Sequence, residues 1–232
     1  LTYKHLFFDL DHTLWDFENN SRAVLEILFE KHRLSEVCGI ALFEDFRESF
    51  ELNNERFWIR YRKGFVKREE LRWKRMWHTL LDFDKNDMEL THSLSDEYLE
   101  LLPNQNKLMP FAKEVLEYCR EKGYQLHLIT NGYEEAQWKK MKQSEIDHYF
   151  LNVITSENSK SLKPQKEIFE FALQASGAFI KESLMIGDAI EADILGAQAI
   201  GMDQVYFNFL KKEHAEKPTF EINSLEELKR IL

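Results

Sequence analysis

Asp9-Leu10-Asp11-His12-Thr13 puts two carboxylates and a hydroxyl at alternate positions directly after the apolar run Leu6-Phe7-Phe8. At the end of a buried strand, alternate residues share a side. Asp9 and Asp11 can therefore flank one reacting atom while Leu10 points away. Two such carboxylates divide naturally into one that attacks and one that moves protons. Three further polar groups have the same setting: Thr130-Asn131-Gly132, Lys163-Pro164, and Gly187-Asp188 followed by Asp193. Asp9 and Asp188 offer hard oxygens suited to Mg²⁺, and Lys163 offers a positive charge. Taken singly, each group also reads as ordinary structure: Asp and Thr cap helices, Asn-Gly makes turns, and a lysine before a helix-starting proline sits on most surfaces. Their occurrence in order, each at a predicted strand end or helix start, favours a site.

The elements that must position them alternate. β-rich runs stand at KHLFFDLD, YQLHLITNG, FLNVITSE, SLMIGDA and DQVYFN. Helical patterns separate the later ones: FAKEVLEYCREKG, with Val115, Leu116 and Cys119 at helical spacing and Gly123 as a stop, then EEAQWKKMKQSE, PQKEIFEFALQASG and IEADILGAQAIG. Strands alternating with helices predict parallel pairing and right-handed crossovers, hence an α/β, doubly wound, Rossmann-like sheet. In such sheets the crevice lies outside the carboxyl ends of the strands, where all four polar groups fall. Residues 16–102 break the rhythm. They read as amphipathic helices punctuated by Gly39 and Gly64, an all-helical domain inserted after the first strand, and Pro103 and Pro110 mark the return. The expected division is a core of residues 1–15 and 103–232 with a helical cap of 16–102.

Composition narrows the function. The 232 residues are 44% hydrophobic, enough for a real core, and the net charge of -10 argues against broad binding to nucleic acid polymers. No apolar run approaches the roughly 18 residues needed to span a bilayer. A cytoplasmic protein is expected, monomeric or homodimeric, with Cys38 and Cys119 as free thiols because their spacing fits neither a disulfide framework nor a zinc site. The chain starts at Leu1 and not at Met, so its numbering is expected to begin one residue late. Residues 60–75 carry eight basic and two acidic residues. This stretch reads first as a solvated helix pair turning at Gly64, and second as a lobe that meets an anionic substrate. Trp15 and Phe17 read as core or hinge packing before a surface for a base, and Gly196, Ala197 and Ala199 as close packing of a helix on the sheet.

DLDHT, TNG, LKP and GDAIEAD resemble the four motifs of the haloacid dehalogenase-like hydrolases, and the resemblance continues through IFEFAL and DILGA. FFDLDHTL, ITNGY, LKPQKEIFEFAL and GDAIEADILGA are most similar to the bacterial nucleotidases that remove 5'-phosphate from pyrimidine nucleotides. The resemblance implies a Mg²⁺-dependent phosphatase acting on a small phosphate monoester. Asp9 is then the nucleophile that forms an aspartyl-phosphate, and Asp11 the acid and base. Asp9, Asp188 and the Asp11 carbonyl hold the metal, Thr130 and the Asn131 amide hold the transferring oxygens, and Lys163 stabilises the transition state. Thr13 supports the loop, Asp193 orients Lys163 or a metal-bound water, and Gly187 gives the backbone room. Arg75 is an expected substrate contact because a basic residue recurs near that position in similar caps. The second carboxylate separates this chain from the dehalogenases, which lack it, and from ion-pumping relatives with Thr in its place. A sugar phosphatase, a phosphomutase, a non-catalytic binding or regulatory protein, and RNA binding through residues 60–75 are the competing readings.

Overall fold

The computed structural model describes residues 3–232; Leu1, on which the numbering expectation rests, and Thr2 lie outside them. The chain divides into two compact units, Leu1–Phe17 with Asn106–Leu232, and Glu18–Gln105. The sequence boundaries at 15/16 and 102/103 stand beside these divisions. Backbone pairing accounts for the difference at the first: Asp16 N–H donates to the Lys107 carbonyl at 3.0 Å and Trp15 bridges Leu108, so residues 15–17 stay with the sheet. At the second, Pro103 lies within a last 3₁₀ turn, Leu102–Asn104.

The first unit is built on one parallel sheet of six strands: β1 (His5–Phe8), β2 (Gln125–Thr130), β3 (Phe150–Thr155), β4 (Ser183–Gly187), β5 (Asp203–Phe207) and β6 (Phe220–Ile222), in the order β3-β2-β1-β4-β5-β6. Phe8 sits opposite Leu128 on one side and Ile186 on the other. Strands covered on both faces read as nearly continuous apolar runs, which is why His-Leu-Phe-Phe is buried throughout. One face packs Phe7, Ile129, Ile154 and Met185 against Ile168, Phe169 and Ala172. The sheet also buries polar groups: His127 lies 3.1 Å from His5 and 3.1 Å from Asn152, a chain of hydrogen bonds across three strands.

The second unit carries five helices, α1 (Phe17–Lys31), α2 (Leu34–Val37), α3 (Phe43–Arg62), α4 (Arg68–Leu81) and α5 (Met88–Leu101). Gly39 and Gly64 punctuate them at φ of 69° and 75°. Leu25, Leu28, Phe46, Phe50, Leu71, Met76, Leu80 and Leu94 recur at helical spacing and are fully or almost fully buried. No helix among the described residues is long and apolar enough to cross a membrane.

The sheet unit adds α6 (Ala112–Glu121), α7 (Glu134–Gln143), α8 (Lys166–Ser176) and, after a π-helical stretch at Ile190–Leu195, the short α9 (Gly196–Ala199). Gly196 and Ala197 are buried as expected, but Gly196 packs against Phe169 and the Pro164 backbone, not against the sheet. Ala199 corrects the expectation: two residues beyond Ala197 it turns to the opposite side of the helix and is exposed.

Candidate active site

β1 is the first strand and lies between β2 and β4, so the order of connection reverses beside it. That switch opens a crevice at the carboxyl ends of β2, β1 and β4. Thr130 ends β2, Asp9 follows β1, and Asp188 follows β4. Beyond Asp9 the chain turns tightly. The Leu10 carbonyl gathers the N–H groups of Thr13, Leu14 and Trp15 at 3.3, 2.9 and 2.8 Å, and His12 takes a left-handed φ of 66°. Leu10 is buried.

Lys163, from the loop before α8, is the hub. Its Nζ donates to Asp9 Oδ1 at 2.5 Å and to the Ile129 carbonyl at 2.7 Å, and lies 2.6 Å from Asp193 Oδ1 as an ion pair. Only 2% of the side chain is exposed. Burial alone would discharge this lysine, yet Asp193 and Asp9 outweigh it and hold the ammonium well above its ordinary range. Asp193 also accepts from the Ala189 N–H at 3.0 Å. Gly187 makes this approach available, because a Cβ there would stand 2.2 Å from Asp193 Oδ2.

Asn131 ties its side chain to the backbone of Lys163. Its side-chain amide accepts the Lys163 N–H at 2.7 Å and donates to the Lys163 carbonyl at 3.0 Å, so it fixes the loop that carries the lysine. Thr130 remains suited to hold an anion. Its hydroxyl accepts from Gly132 N–H at 3.1 Å and from Gln137 Nε2 at 2.7 Å, which fills both lone pairs and leaves its proton to donate. Thr13 donates to Asp188 Oδ1 at 3.2 Å.

The acids divide by environment. Oxygens of Asp9, Asp188 and Asp193 lie within 4.8 Å of one another. Burial first, then the neighbouring carboxylates, raises Asp9 well above the usual range, although Lys163 opposes the shift. Asp188 is pushed up to about 7 by burial and then by Asp193. Two buried carboxylates, Asp9 and Asp193, and the half-buried Asp188 share one ammonium and carry surplus negative charge, and all their donors are hard oxygens. The set fits Mg²⁺.

Asp11 faces the other way. Lys140 Nζ donates to its Oδ1 at 2.6 Å and Gln137 Nε2 to its Oδ2 at 2.9 Å. Burial pushes the Asp11 carboxyl up, but these two donors outweigh it and hold the group below its usual range. The sequence reading missed both partners, which sit three residues apart on α7 and are almost fully buried. Lys140 also lies 4.4 Å over the ring of Trp15, whose wholly buried indole is packing and not a surface for a base. Arg75 belongs to the helical unit. There its guanidinium donates to Asn54 Oδ1 at 2.7 Å and packs over the rings of Tyr98 and Phe50.

Known proteins share this arrangement. The family model for haloacid dehalogenase-like hydrolases matches residues 3–201. "Putative HAD-hydrolase YfnB" of Bacillus subtilis is 30% identical over 234 residues, covering 99% of this chain and 95% of that protein. "Pyrimidine 5'-nucleotidase PynA" of Streptococcus pneumoniae is 30% identical over 233 residues, covering 97% and 93%. A crystal structure of YfnB bound to magnesium superposes with a TM-score of 0.89 at 28% identity, covering 100% of this chain and 99% of that one. With its parallel sheet and its acids gathered at the strand ends, the chain belongs to the haloacid dehalogenase-like hydrolases and is one of their phosphoric monoester hydrolases.

Proposed function

We propose that the protein is a Mg²⁺-dependent nucleotidase that hydrolyses a pyrimidine nucleoside 5'-monophosphate through an aspartyl-phosphate. The observation that carries this reading is the meeting of Asp9, Asp193 and Lys163 within 2.6 Å contacts, with Asp188 beside them. The full-length similarity to a pyrimidine 5'-nucleotidase supports the substrate class, and magnesium in the structure of a close likeness supports the metal. The substrate is a small molecule, and we place the work in the cytoplasm, in keeping with two cysteines that are both unpaired.

A phosphate monoester is slow to hydrolyse because a carboxylate must approach a dianion. Asp9, Asp188 and the Asp11 carbonyl would hold Mg²⁺, whose positive charge would offset that repulsion. Asp9 attacks phosphorus, the bond from phosphorus to the ester oxygen breaks, and the departing oxygen receives a proton from Asp11. Water then attacks the phosphorus of the aspartyl-phosphate and gives its proton to Asp11; the bond to Asp9 breaks and inorganic phosphate leaves. The Thr130 hydroxyl donates to a phosphoryl oxygen throughout. Lys163, held by Asp193 and by Asn131, stands where negative charge spreads in the transition state. Thr13 orients Asp188.

Release of inorganic phosphate from a panel of nucleoside monophosphates and sugar phosphates, with Mg²⁺ or with EDTA, tests the reading. Release led by pyrimidine monophosphates, lost in EDTA and in Asp9→Asn, is expected. A panel led by sugar phosphates overturns the substrate, and a flat panel overturns hydrolysis in favour of a mutase or a binding protein.

A further inference from the structure

α7 presents Gln137 and Lys140 to the two oxygens of Asp11, one donor to each. Both donors are N–H groups, so both oxygens accept: the arrangement fixes the plane of Asp11 in the form it has once the departing oxygen has taken its proton. The two side chains are themselves constrained. Gln137 also donates to Thr130, and it passes over Gly132, where a Cβ would stand 2.4 Å from its amide. Lys140 lies against Trp15 and is 6% exposed. The side-chain hydrogen bonds that the two make go to Asp11 and Thr130.

We infer that Gln137 and Lys140 are positioning residues for breakdown of the aspartyl-phosphate, holding Asp11 oriented to take the proton from the attacking water. The inference rests on the mechanism proposed above. Formation of the aspartyl-phosphate from an ester with an easily departing group makes little demand on Asp11. Its breakdown always requires a base, since water must lose a proton as it bonds to phosphorus. Loosening the carboxylate therefore slows the second step more than the first.

The test is rapid-quench kinetics with p-nitrophenyl phosphate and Mg²⁺, comparing the wild type with Lys140→Met and Lys140→Arg, since Gln137 also holds Thr130 and its loss would disturb both steps. In Lys140→Met a burst of about one equivalent of p-nitrophenolate is expected, followed by turnover slowed about tenfold or more, with a phosphoryl adduct visible by intact-mass spectrometry. Lys140→Arg, which keeps the charge, is expected to recover most of the turnover. The burst doubles as evidence that the variant folds, because it needs Asp9 and Lys163 in place. A fall of burst and turnover by the same factor, or no change in either, overturns the inference while leaving the proposed function standing. Absence of both phosphate release and adduct in the wild type overturns the proposed function, and this inference with it.

Discussion

Lys163 and Asp9 form an ion pair 2.5 Å long, with 2% and 11% of the two side chains exposed. The pair is one side of a three-membered cluster completed by Asp193. Removing the cation leaves two carboxylates facing each other in a site that water barely reaches, and breaking a buried pair in this way costs about 3–5 kcal/mol. Lys163→Met is therefore expected to lower the urea midpoint at pH 7 and to abolish phosphate release. The stability loss should shrink as pH falls, because Asp9, raised by burial, takes up a proton more readily than an ordinary carboxyl. An unchanged midpoint at pH 7 would show that the lysine does not hold the carboxylates together.

Mg²⁺ should stabilise the fold by relieving the same crowding. A ligand at 100 times its Kd adds about 2.7 kcal/mol to a protein that binds it only when folded. Thermal melts in Mg²⁺ and in EDTA should differ accordingly. Asp188→Asn is expected to melt no lower than the wild type in EDTA, since one like charge is gone, and to gain nothing from Mg²⁺. A full Mg²⁺ shift in that variant would place the metal elsewhere.

Gly187 is required by a neighbour. A Cβ at this position would stand 2.2 Å from Asp193 Oδ2, so Gly187→Ala displaces the carboxylate that holds both Lys163 and the Ala189 N–H. A misplacement of this size near the reacting atoms costs about a hundredfold in rate. The measurement is kcat for phosphate release beside a melting curve. Wild-type kcat would mean that Asp193 can leave without consequence for Lys163.

His127 sets a pH dependence of stability away from the site. Burial, and then His5, lowers its pKa from the ordinary 6.5 to about 4. The unfolded chain then takes up the proton more readily than the folded one. The stability this residue contributes is complete above pH 6.5 and is lost as pH falls from 6.5 toward 4, by at most about 3 kcal/mol. Urea midpoints between pH 7 and 4.5 should fall more steeply in the wild type than in His127→Asn, which has no group to titrate. Parallel curves would show that the histidine does not carry this dependence.

Burial on both faces explains how much of the sheet is legible in the sequence. β1, β2, β4 and β5 read as apolar runs because their places inside a parallel sheet leave almost no solvent face, whereas β3, at the edge, exposes Leu151. β6 does not read this way: it has three residues, Phe220–Ile222, with Glu221 exposed between them. The placement of Asp9, Thr130 and Asp188 at strand ends was legible because a polar residue directly after an apolar run marks where a buried strand stops. Gln137 and Lys140 were not. In Gln-Trp-Lys-Lys-Met-Lys one lysine looks like another, and only tertiary packing buries Lys140 while Lys139 and Lys142 stay more open. The task of Asn131 was hidden for the same reason, since its two partners are the backbone atoms of a residue 32 positions away.

The amide of Asn131 offers Lys163 the same pair of bonds that an adjacent strand offers, one accepted and one donated. A loop of otherwise irregular backbone is thereby tied into the order of the sheet at the residue whose charge matters most. The ammonium does not have to be recruited from solvent each time a phosphate arrives. Its dehydration and its alignment are completed during folding, so the reorganisation that water would demand around a developing charge is already absent when the reaction begins.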